Sequence, residues 1–173
     1  MNIEEWEARA EAVRKASQAG ELVPADETFP GGDEGWTACL AAALPEAADI
    51  AFVEEGGKSY FFSERHMTRA YAEAAALGAS GDSTRIIAAT VRTESASYPR
   101  PTSLEVFQLA PFHLSAEEIA SAAAQMRTDA QYEDITTVCA SDGTRFLFSS
   151  RHLNCDQATA IAEWLAVTRH DNP

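Results

Sequence analysis

The same succession of apolar and polar positions occurs at two places along the chain. Residues 49–53 and 134–138 are short apolar runs that begin with Asp-Ile, and each leads into a turn that contains glycine. Each turn is followed by a run rich in aromatic residues, Tyr60-Phe61-Phe62 in the first half and Phe146-Leu147-Phe148 in the second. Two apolar runs joined by a short turn with glycine are typical of a β-hairpin. The pattern therefore predicts one hairpin in each half.

The similarity between the two halves continues beyond the hairpins. Residues 49–53 align with residues 134–138, and residues 57–67 align with residues 143–153. Eight positions are identical, namely Asp, Ile and Val in the first block and Gly, Phe, Ser, Arg and His in the second. One extra residue lies in the turn of the second half, where loops tolerate insertions. We interpret the pattern as an internal duplication.

Helices are predicted on both sides of each hairpin. Residues 68–77 and 154–167 follow the hairpins with helical spacing of apolar positions, and Thr68 and Asn154 stand at equivalent N-cap positions. A helix is also predicted before each hairpin. In the first half it covers residues 36–43, and in the second half it begins with the capping-box pattern Ser115-Ala116-Glu117-Glu118. Each hairpin is thus expected to be flanked by helices.

Strand signals complete the predicted fold. Short strands are expected at residues 21–23 and 103–109, and the β-branched run at residues 85–92 is expected to close the first copy. The resulting order, β-α-β-β-α-β, is that of the split βαβ or ferredoxin-like arrangement. The sequence therefore predicts an α+β protein made of two tandem ferredoxin-like repeats, each βαββα with or without a final strand.

The same signals divide the chain into segments. Residues 1–20 form an amphipathic helix for which no counterpart is expected in the second copy, residues 21–92 form the first repeat, and residues 103–173 form the second. Residues 93–102 form the joint, because prolines restrict the backbone there. The aromatic hairpin strands are apolar on both faces, and the second copy, the N-terminal helix or another chain could cover the face that the repeat's own helices leave open. We expect the repeats to pack as one pseudo-symmetric body, with a homodimer as the alternative.

Charge and composition narrow the possible partners. The chain has 173 residues, 46% of them hydrophobic, and 13 Lys and Arg against 27 Asp and Glu give a net charge of −14. Such a protein repels phosphate backbones, so no nucleic-acid partner is expected. No apolar stretch approaches the roughly 18 residues that span a bilayer, so no membrane contact is expected. An acidic N-terminus and three cysteines without CxxC spacing favour the cytoplasm.

The most specific polar feature is Ser-x-Arg-His, which occurs once in each half. Its members are Ser63, Arg65 and His66 in the first half and Ser149, Arg151 and His152 in the second. An arginine beside a helix N-terminus is suited to bind a carboxylate or phosphate, which makes these six residues candidates for a small anionic ligand. The alternative is that each arginine pairs with an internal carboxylate, Asp49 or Asp134. We favour this structural ion pair, because residues kept in both copies are often those that the fold needs.

Other chemistry finds little support in the sequence. There is no GxSxG, GxGxxG or GxxxxGK[ST] motif, and the pair His152 and Cys155 has no equivalent in the first half, where Arg69 replaces the cysteine. No catalytic residue, cofactor or metal is predicted. The sequence favours a small non-enzymatic binding or accessory protein that contacts a protein partner through an apolar groove or a sheet edge. The alternative is a site for an anionic small molecule, or for an uncharacterised reaction, between the two repeats.

Overall fold

Each predicted hairpin is the centre of its own α+β unit in the computed structural model, which describes residues 3–25 and 45–169. The chain divides into a first unit, Met1–Ser80, and a second unit, Gly81–Pro173. Each unit contains one three-stranded antiparallel sheet with the second hairpin strand in the middle. The α+β class and both hairpins are therefore confirmed. Packing of the two halves as one body stays a prediction.

The first unit is built around a hairpin with a two-glycine turn. Its elements are α1 (Ile3–Gln18), β1 (Val23–Pro24), a 3₁₀ turn (Pro45–Ala47), β2 (Ile50–Glu55), β3 (Lys58–Ser63) and α2 (Arg69–Gly78). The sheet order is β1-β3-β2, and Phe52 pairs with Phe61 across the hairpin. Gly56 and Gly57 have φ angles of 60° and 76°, a left-handed conformation that glycine adopts without strain. The turn chemistry thus sets the strand pairing.

Helices cover both faces of the first sheet. Phe61 and Phe62 are fully buried neighbours in β3, and adjacent residues of a strand point to opposite faces. Phe61 packs in one cluster with Ala10 and Val13 of α1, whereas Phe62 packs in another with Ala72 of α2. The sequence argument that both faces of these strands are covered is correct, and within this unit the N-terminal helix supplies one of the covers.

The second unit has the same order around its hairpin, with additional helical turns. Its elements are α3 (Ser83–Ser97), β4 (Thr102–Ser103), a 3₁₀ helix (Leu104–Gln108), α4 (Ala116–Met126), a 3₁₀ turn (Ala130–Tyr132), β5 (Ile135–Cys139), β6 (Arg145–Ser149), α5 (Cys155–Glu163) and a π-helical turn (Trp164–Thr168). The sheet order is β4-β6-β5. Phe146 and Phe148 of β6 pack with Ala158 and Ala162 of α5. Helix α3 also contacts β6.

The predicted strand at residues 85–92 is wrong, because these residues lie inside α3. Asp82 caps this helix by accepting a hydrogen bond from the backbone N–H of Arg85 at 3.0 Å. Burial of Thr84, Ile87 and Val91 follows helical spacing, so packing of this face outweighs the strand preference of the β-branched residues. The statement that the N-terminal helix has no counterpart is also wrong, because α3 contacts β6 as α1 contacts β3.

Three further predictions change in detail. The strand expected at residues 103–109 is limited to Thr102–Ser103, because residues 104–108 form a 3₁₀ helix that Ser103 caps. The strand expected at residues 21–23 is found at Val23–Pro24. The helix expected at residues 36–43 lies outside the described residues. Each sheet has three strands instead of the four of a complete ferredoxin-like unit, so that arrangement is not confirmed.

The joint expected at residues 93–102 falls inside the second unit, since α3 ends at Ser97 and β4 follows at Thr102.

The predicted helix starts are confirmed: the side chains of Thr68, Ser115 and Asn154 each cap the helix that follows, the last two in complete capping boxes. Within residues 3–25 and 45–169, no helix combines the length and apolar character needed to span a membrane.

Candidate functional site

A buried carboxylate lies at the base of the first hairpin. Arg14 of α1 binds Asp49 with both arms, Nε to Oδ2 at 3.2 Å and Nη2 to Oδ1 at 2.7 Å. Ser63 Oγ, at the end of β3, donates to Oδ2 of Asp49 at 2.6 Å, and Arg65 Nε lies 3.4 Å from Oδ1. The Asp49 side chain is only 8% exposed. Four side chains from a helix and both sides of the hairpin thus form one ionic cluster.

The second hairpin carries the same cluster. Arg92 of α3 binds Asp134 through Nε and Nη2, and Ser149 Oγ donates to Asp134 Oδ2 at 2.7 Å. Arg151 Nη2 lies 3.3 Å from Oδ1 of Asp134, whose side chain is 3% exposed. We call the sets Arg14, Asp49, Ser63, Arg65 and Arg92, Asp134, Ser149, Arg151 the first and second Arg-Asp-Ser clusters.

Two more contacts attach the helix of each unit to its sheet. The backbone N–H of Ser63 donates to Ser17 Oγ at 2.9 Å, and that of Ser149 donates to Ser95 Oγ at 3.0 Å. Arg14 Nη2 also donates to the backbone oxygen of Glu46 at 2.7 Å. In the second unit the equivalent donation runs from Arg92 Nη2 to the Gln131 oxygen at 2.8 Å. Helix and hairpin are therefore joined by the same polar contacts in both units.

Arg14 and Arg92 are not among the residues predicted from the sequence, although a signal for them exists. The pattern Val-Arg-x-x-Ser occurs at Val13-Arg14 with Ser17 and again at Val91-Arg92 with Ser95. Both copies lie on the helix that faces the hairpin. Because residues 85–92 were expected to form a strand, the two segments could not be recognised as equivalent. The strand interpretation thus concealed the strongest ionic contact in each unit.

Charge pairing keeps both carboxylates ionised. Burial by itself raises the pKa of Asp49, but hydrogen bonds from Arg14 and Ser63 and the charge of Arg65 outweigh it, so the pKa is lowered. In the second cluster the hydrogen bond from Arg92 is the largest effect, and with help from Ser149 it lowers the pKa of Asp134 to about 2 against the opposing effect of burial. Both aspartates are therefore anions at neutral pH, each next to two guanidinium groups.

The structure separates the six predicted site residues into three kinds. Ser63 and Ser149 are fully buried against the carboxylates. Arg65 and Arg151 reach the carboxylates but keep 54% and 57% of their side chains exposed. His66 and His152 are exposed in the turn after the strand. Their backbone N–H groups donate to the backbone carbonyl oxygens of Ser63 and Ser149, respectively. The expected arginine pairs with Asp49 and Asp134 are present. Ligand binding by these residues stays a prediction.

A cleft of about 460 Å³ lies elsewhere in the second unit. It is bordered by the C-terminal half of α3, by β4 and the 3₁₀ helix that follows, by the turn before β6 and by the π-helical turn. Its apolar residues include Pro101, Val106, Phe146, Leu165 and Ala166. A volume of this size lies within the range of small-ligand sites, about 300 to 1,000 Å³. The sequence does not mark these residues as a site, because the cleft is lined by four separate segments of the chain.

The charged residues of the cleft are mainly acidic. Glu94, Glu105 and Asp142 contribute three carboxylates against the single guanidinium of Arg100. Arg100 donates to Glu94 Oε2 through Nε and Nη2 at 2.9 and 2.7 Å. Thr102 also borders the cleft; it is 5% exposed, and its Oγ1 atom has no hydrogen-bond partner among the described residues. The cleft thus combines an apolar wall, an acidic border and one unsatisfied hydroxyl.

The remaining metal and thiol candidates do not come together. Among residues 3–25 and 45–169, no group of three or more His, Cys, Asp and Glu side chains is arranged to hold a metal ion. Cys139 and Cys155 are exposed free thiols, although Cys139 stands in an apolar run of the sequence. It ends the edge strand β5, where its side chain faces solvent. Cys39 lies outside the described residues.

Together, the fold and the clusters define an α+β protein of two units, each with an arginine-bound aspartate between helix and hairpin. Comparison with known proteins gives its family. The model of the YdhW C-terminal domain matches residues 81–170, which is all but the last three residues of the second unit. The "Uncharacterized protein YdhW" of Escherichia coli (strain K12) is 30% identical over 170 residues, covering 95% of this chain and 79% of that protein. The chain belongs to the YdhW family. No solved structure matches it.

Proposed function

We propose that this protein is a small binding protein that acts through contacts with a protein partner, and that the cleft of the second unit makes the contact. The observation that carries the proposal is the cleft itself, with its apolar wall, acidic border and unsatisfied Thr102 hydroxyl. The Arg-Asp-Ser clusters support it indirectly, because their serines and aspartates are occupied by internal hydrogen bonds. The cleft is therefore the better candidate for recognition.

Exposed apolar side chains near the cleft support a protein partner. Val106 borders the cleft and is 41% exposed, and Leu109, which follows the same 3₁₀ helix, is 64% exposed. Trp164 is 52% exposed and adjoins Leu165 of the cleft in the π-helical turn. Single exposed apolar residues are ordinary, but an exposed apolar residue at a cleft, with others close to the lining residues along the chain, is typical of an interaction surface. Local π-helical turns are also frequent at functional sites.

Site-specific photocrosslinking in the source cell tests this proposal. A photoreactive amino acid replaces Val106 at the cleft, and in a matched control it replaces Ala124, an exposed position of α4 that does not border the cleft. We expect the Val106 position to give one discrete adduct with another protein, identified by mass spectrometry, and the Ala124 position to give none. Equal adducts from both positions, no adduct, or an adduct of two copies of this chain would each contradict the proposal.

We infer, further, that the two halves arose by internal duplication. The inference is supported by the repeated sequence blocks and by the recurrence of Arg14, Asp49 and Ser63 as Arg92, Asp134 and Ser149 with the same hydrogen bonds. A cytoplasmic location is part of the same proposal, and the free, exposed thiols of Cys139 and Cys155 support it, since cytoplasmic thiols are kept reduced.

An anionic small molecule at the second Arg-Asp-Ser cluster is the second candidate function. The observation that favours it is the charge of the cluster: Arg92 and Arg151 surround one carboxylate, and Arg151 keeps 57% of its side chain exposed. Titration with inorganic phosphate, followed by NMR of the arginine Nε–H signals, tests it. This candidate predicts saturable shifts of the Arg92 and Arg151 signals in the wild type and loss of the Arg92 shift in Arg151→Ala; an unchanged wild-type spectrum would exclude it.

A further inference from the structure

We infer that the cleft of the second unit recognises a lysine or arginine side chain within an extended segment of the partner protein. This inference rests on the proposed function, since it names the chemistry that the same cleft selects. The basic side chain places its methylene groups along the apolar wall and its charge at the acidic border. Three properties of the cleft lead to this occupant: its wall, its charge and its unsatisfied hydroxyl.

The wall of the cleft suits the stem of a long basic side chain. Phe146 of β6 and Pro101 are buried, and Val106, Leu165 and Ala166 complete an apolar surface. Lysine and arginine carry three or four methylene groups that pack on apolar surface while the charged end stays in water. An aliphatic side chain would fit the same wall. The wall therefore selects for length and apolar character but not for charge.

The border of the cleft selects for positive charge. Its charged residues are Glu94, Glu105, Asp142 and Arg100, which sum to −2 at neutral pH. The guanidinium of Arg100 is bound by Glu94 and lies over the ring of Tyr98 at 5.5 Å, so its charge is largely neutralised within the protein. Glu105 is exposed, and no ion pair within the described residues engages its carboxylate. An acidic segment would be repelled here, whereas a basic one is attracted.

The charge of the whole chain acts in the same direction. With a net charge of −14, the protein attracts basic partners over a distance comparable with the Debye length, about 8 Å at physiological salt. Such attraction raises the rate of encounter more than the final affinity. The acidic border then distinguishes basic from neutral segments once contact is made. We therefore expect binding to weaken as the salt concentration rises.

The Thr102 hydroxyl gives the cleft a hydrogen-bonding group. A buried hydroxyl without a partner is unfavourable, and native proteins usually satisfy such groups. Thr102 belongs to β4, an edge strand of the second sheet. Rotation about χ1 moves the hydroxyl among three staggered positions, so an arriving backbone amide or carbonyl can become its partner. Binding of an extended segment would satisfy a group that the protein alone leaves without a partner.

A titration with matched peptides tests the inference on the full-length protein. The probes are two acetylated and amidated peptides, Ala-Leu-Arg-Leu-Ala and Ala-Leu-Glu-Leu-Ala, and binding is followed by amide NMR shifts. We expect the arginine peptide to shift the signals of Thr102, Glu105 and Leu165 in a saturable way. The glutamate peptide should produce no saturable shift. Equal binding of the two peptides, or no shift with either at millimolar concentration, would overturn the inference.

Matched variants locate the site. We expect Glu105→Gln to weaken binding of the arginine peptide about three-fold, because an exposed ion pair contributes less than about 1 kcal/mol. The control Glu117→Gln removes the same charge from α4, outside the cleft, and should leave the affinity within error. Ala166→Phe should fill the cleft and abolish binding, whereas Ala160→Phe, at an exposed position of α5, should not. Thermal unfolding confirms that each variant is folded.

The Thr102 hydroxyl is tested separately. Thr102→Val keeps the shape of the side chain and removes only the hydrogen-bonding group, so the variant should fold normally and bind the arginine peptide several-fold more weakly. Unchanged affinity would exclude the hydroxyl from recognition. The inference and the proposed function fail differently: a protein adduct at Val106 with equal binding of both peptides contradicts only the inference, whereas the absence of any adduct contradicts the proposed function.

Discussion

At the scale of single residues, the two buried aspartates are the positions where loss of a partner is expected to cost most. Asp49 and Asp134 are 8% and 3% exposed, and each is held by two arginines and a serine hydroxyl. Forming a buried ion pair brings little net stability, because both charges lose water, but removing one partner leaves a buried charge without compensation. The two arginines of a cluster are therefore unequal: the helix arginine is half-buried and bidentate, whereas the arginine after the strand is mostly exposed.

This inequality gives the first prediction. Arg92→Ala should lower the free energy of unfolding by about 3 kcal/mol, because Asp134 loses its bidentate partner. Arg151→Ala should lower it by less than about 1 kcal/mol, since Arg151 is mostly exposed and lies 3.3 Å from a carboxylate that keeps its bidentate partner Arg92. Urea denaturation of the two variants measures both changes. A larger loss of unfolding free energy in Arg151→Ala than in Arg92→Ala would contradict the prediction, because it would show that the exposed arginine contributes more to the stability of the cluster.

The lowered pKa of Asp134 gives a second prediction. The folded protein holds this pKa at about 2, below the ordinary value of 3.8, so ionisation of Asp134 favours the folded state. This contribution is fully present above pH 3.8 and is lost as the pH falls through 2; it is on the order of 1 to 2 kcal/mol after solvent screening. The difference in unfolding free energy between wild type and Asp134→Asn should shrink between pH 5 and pH 2. If the difference in unfolding free energy stays constant over this pH range, ionisation of Asp134 does not stabilise the folded state.

The sequence predicts one arginine of each cluster and misses the other. Arg65 and Arg151 stand next to the repeated serines, so their pairing with Asp49 or Asp134 could be inferred from local pattern. The helix arginines lie 35 and 42 residues before their aspartates. Only the packing of α1 and α3 on their sheets brings them together, and the repeated Val-Arg-x-x-Ser pattern does not show which carboxylate each arginine reaches.

At the scale of elements, side-chain caps fix where the helices begin. Asn154 accepts a hydrogen bond from the backbone N–H of Gln157 at 2.8 Å and begins α5. Asn154→Ala should lower the unfolding free energy by about 1 kcal/mol, because it removes this bond. The control Ser150→Ala changes an exposed residue, four positions earlier, that is not a helix cap. Denaturation curves compare them; equal losses in the two variants would show that the cap contributes nothing.

Element type could be predicted where two signals agree and not where they conflict. The hairpins have both a turn signal and strand-forming residues, and the helices that begin at Thr68, Ser115 and Asn154 have both a cap and helical spacing. Residues 85–92 have β-branched residues but also the spacing of a buried helix face. Tertiary packing of that face decides the outcome, and intrinsic preference is too weak to resist it.

At the scale of the whole molecule, the boundary between units lies at Ser80, ahead of α3. We expect residues 81–173, expressed alone, to fold and to unfold cooperatively, because the fragment contains a complete Arg-Asp-Ser cluster and both helices that contact β6 or β5. Near-ultraviolet circular dichroism and urea denaturation measure this. The match of the YdhW C-terminal domain to residues 81–170 supports the same boundary.

The matched control for this prediction is a fragment of residues 103–173, the second repeat as the sequence pattern divides the chain. It lacks Arg92 and Ser95, so Asp134 would keep only its exposed arginine and the Ser149 amide would lose its partner. We expect this fragment to remain unfolded. If the shorter fragment folds as well as the longer one, α3 is not an essential part of the second unit.

The repeated helix contacts also determine how each helix is oriented about its own axis. One residue of an α-helix corresponds to a turn of about 100°, so sliding by a single position would carry Arg14 or Arg92 away from its carboxylate. Apolar contacts alone would still form after such a shift. The bidentate arginine and the serine three residues later would both lose their hydrogen bonds. A chimaera that exchanges residues 10–18 and 88–96 should therefore preserve the axial orientation of both helices, because each transplanted segment carries its own key residues at the same spacing.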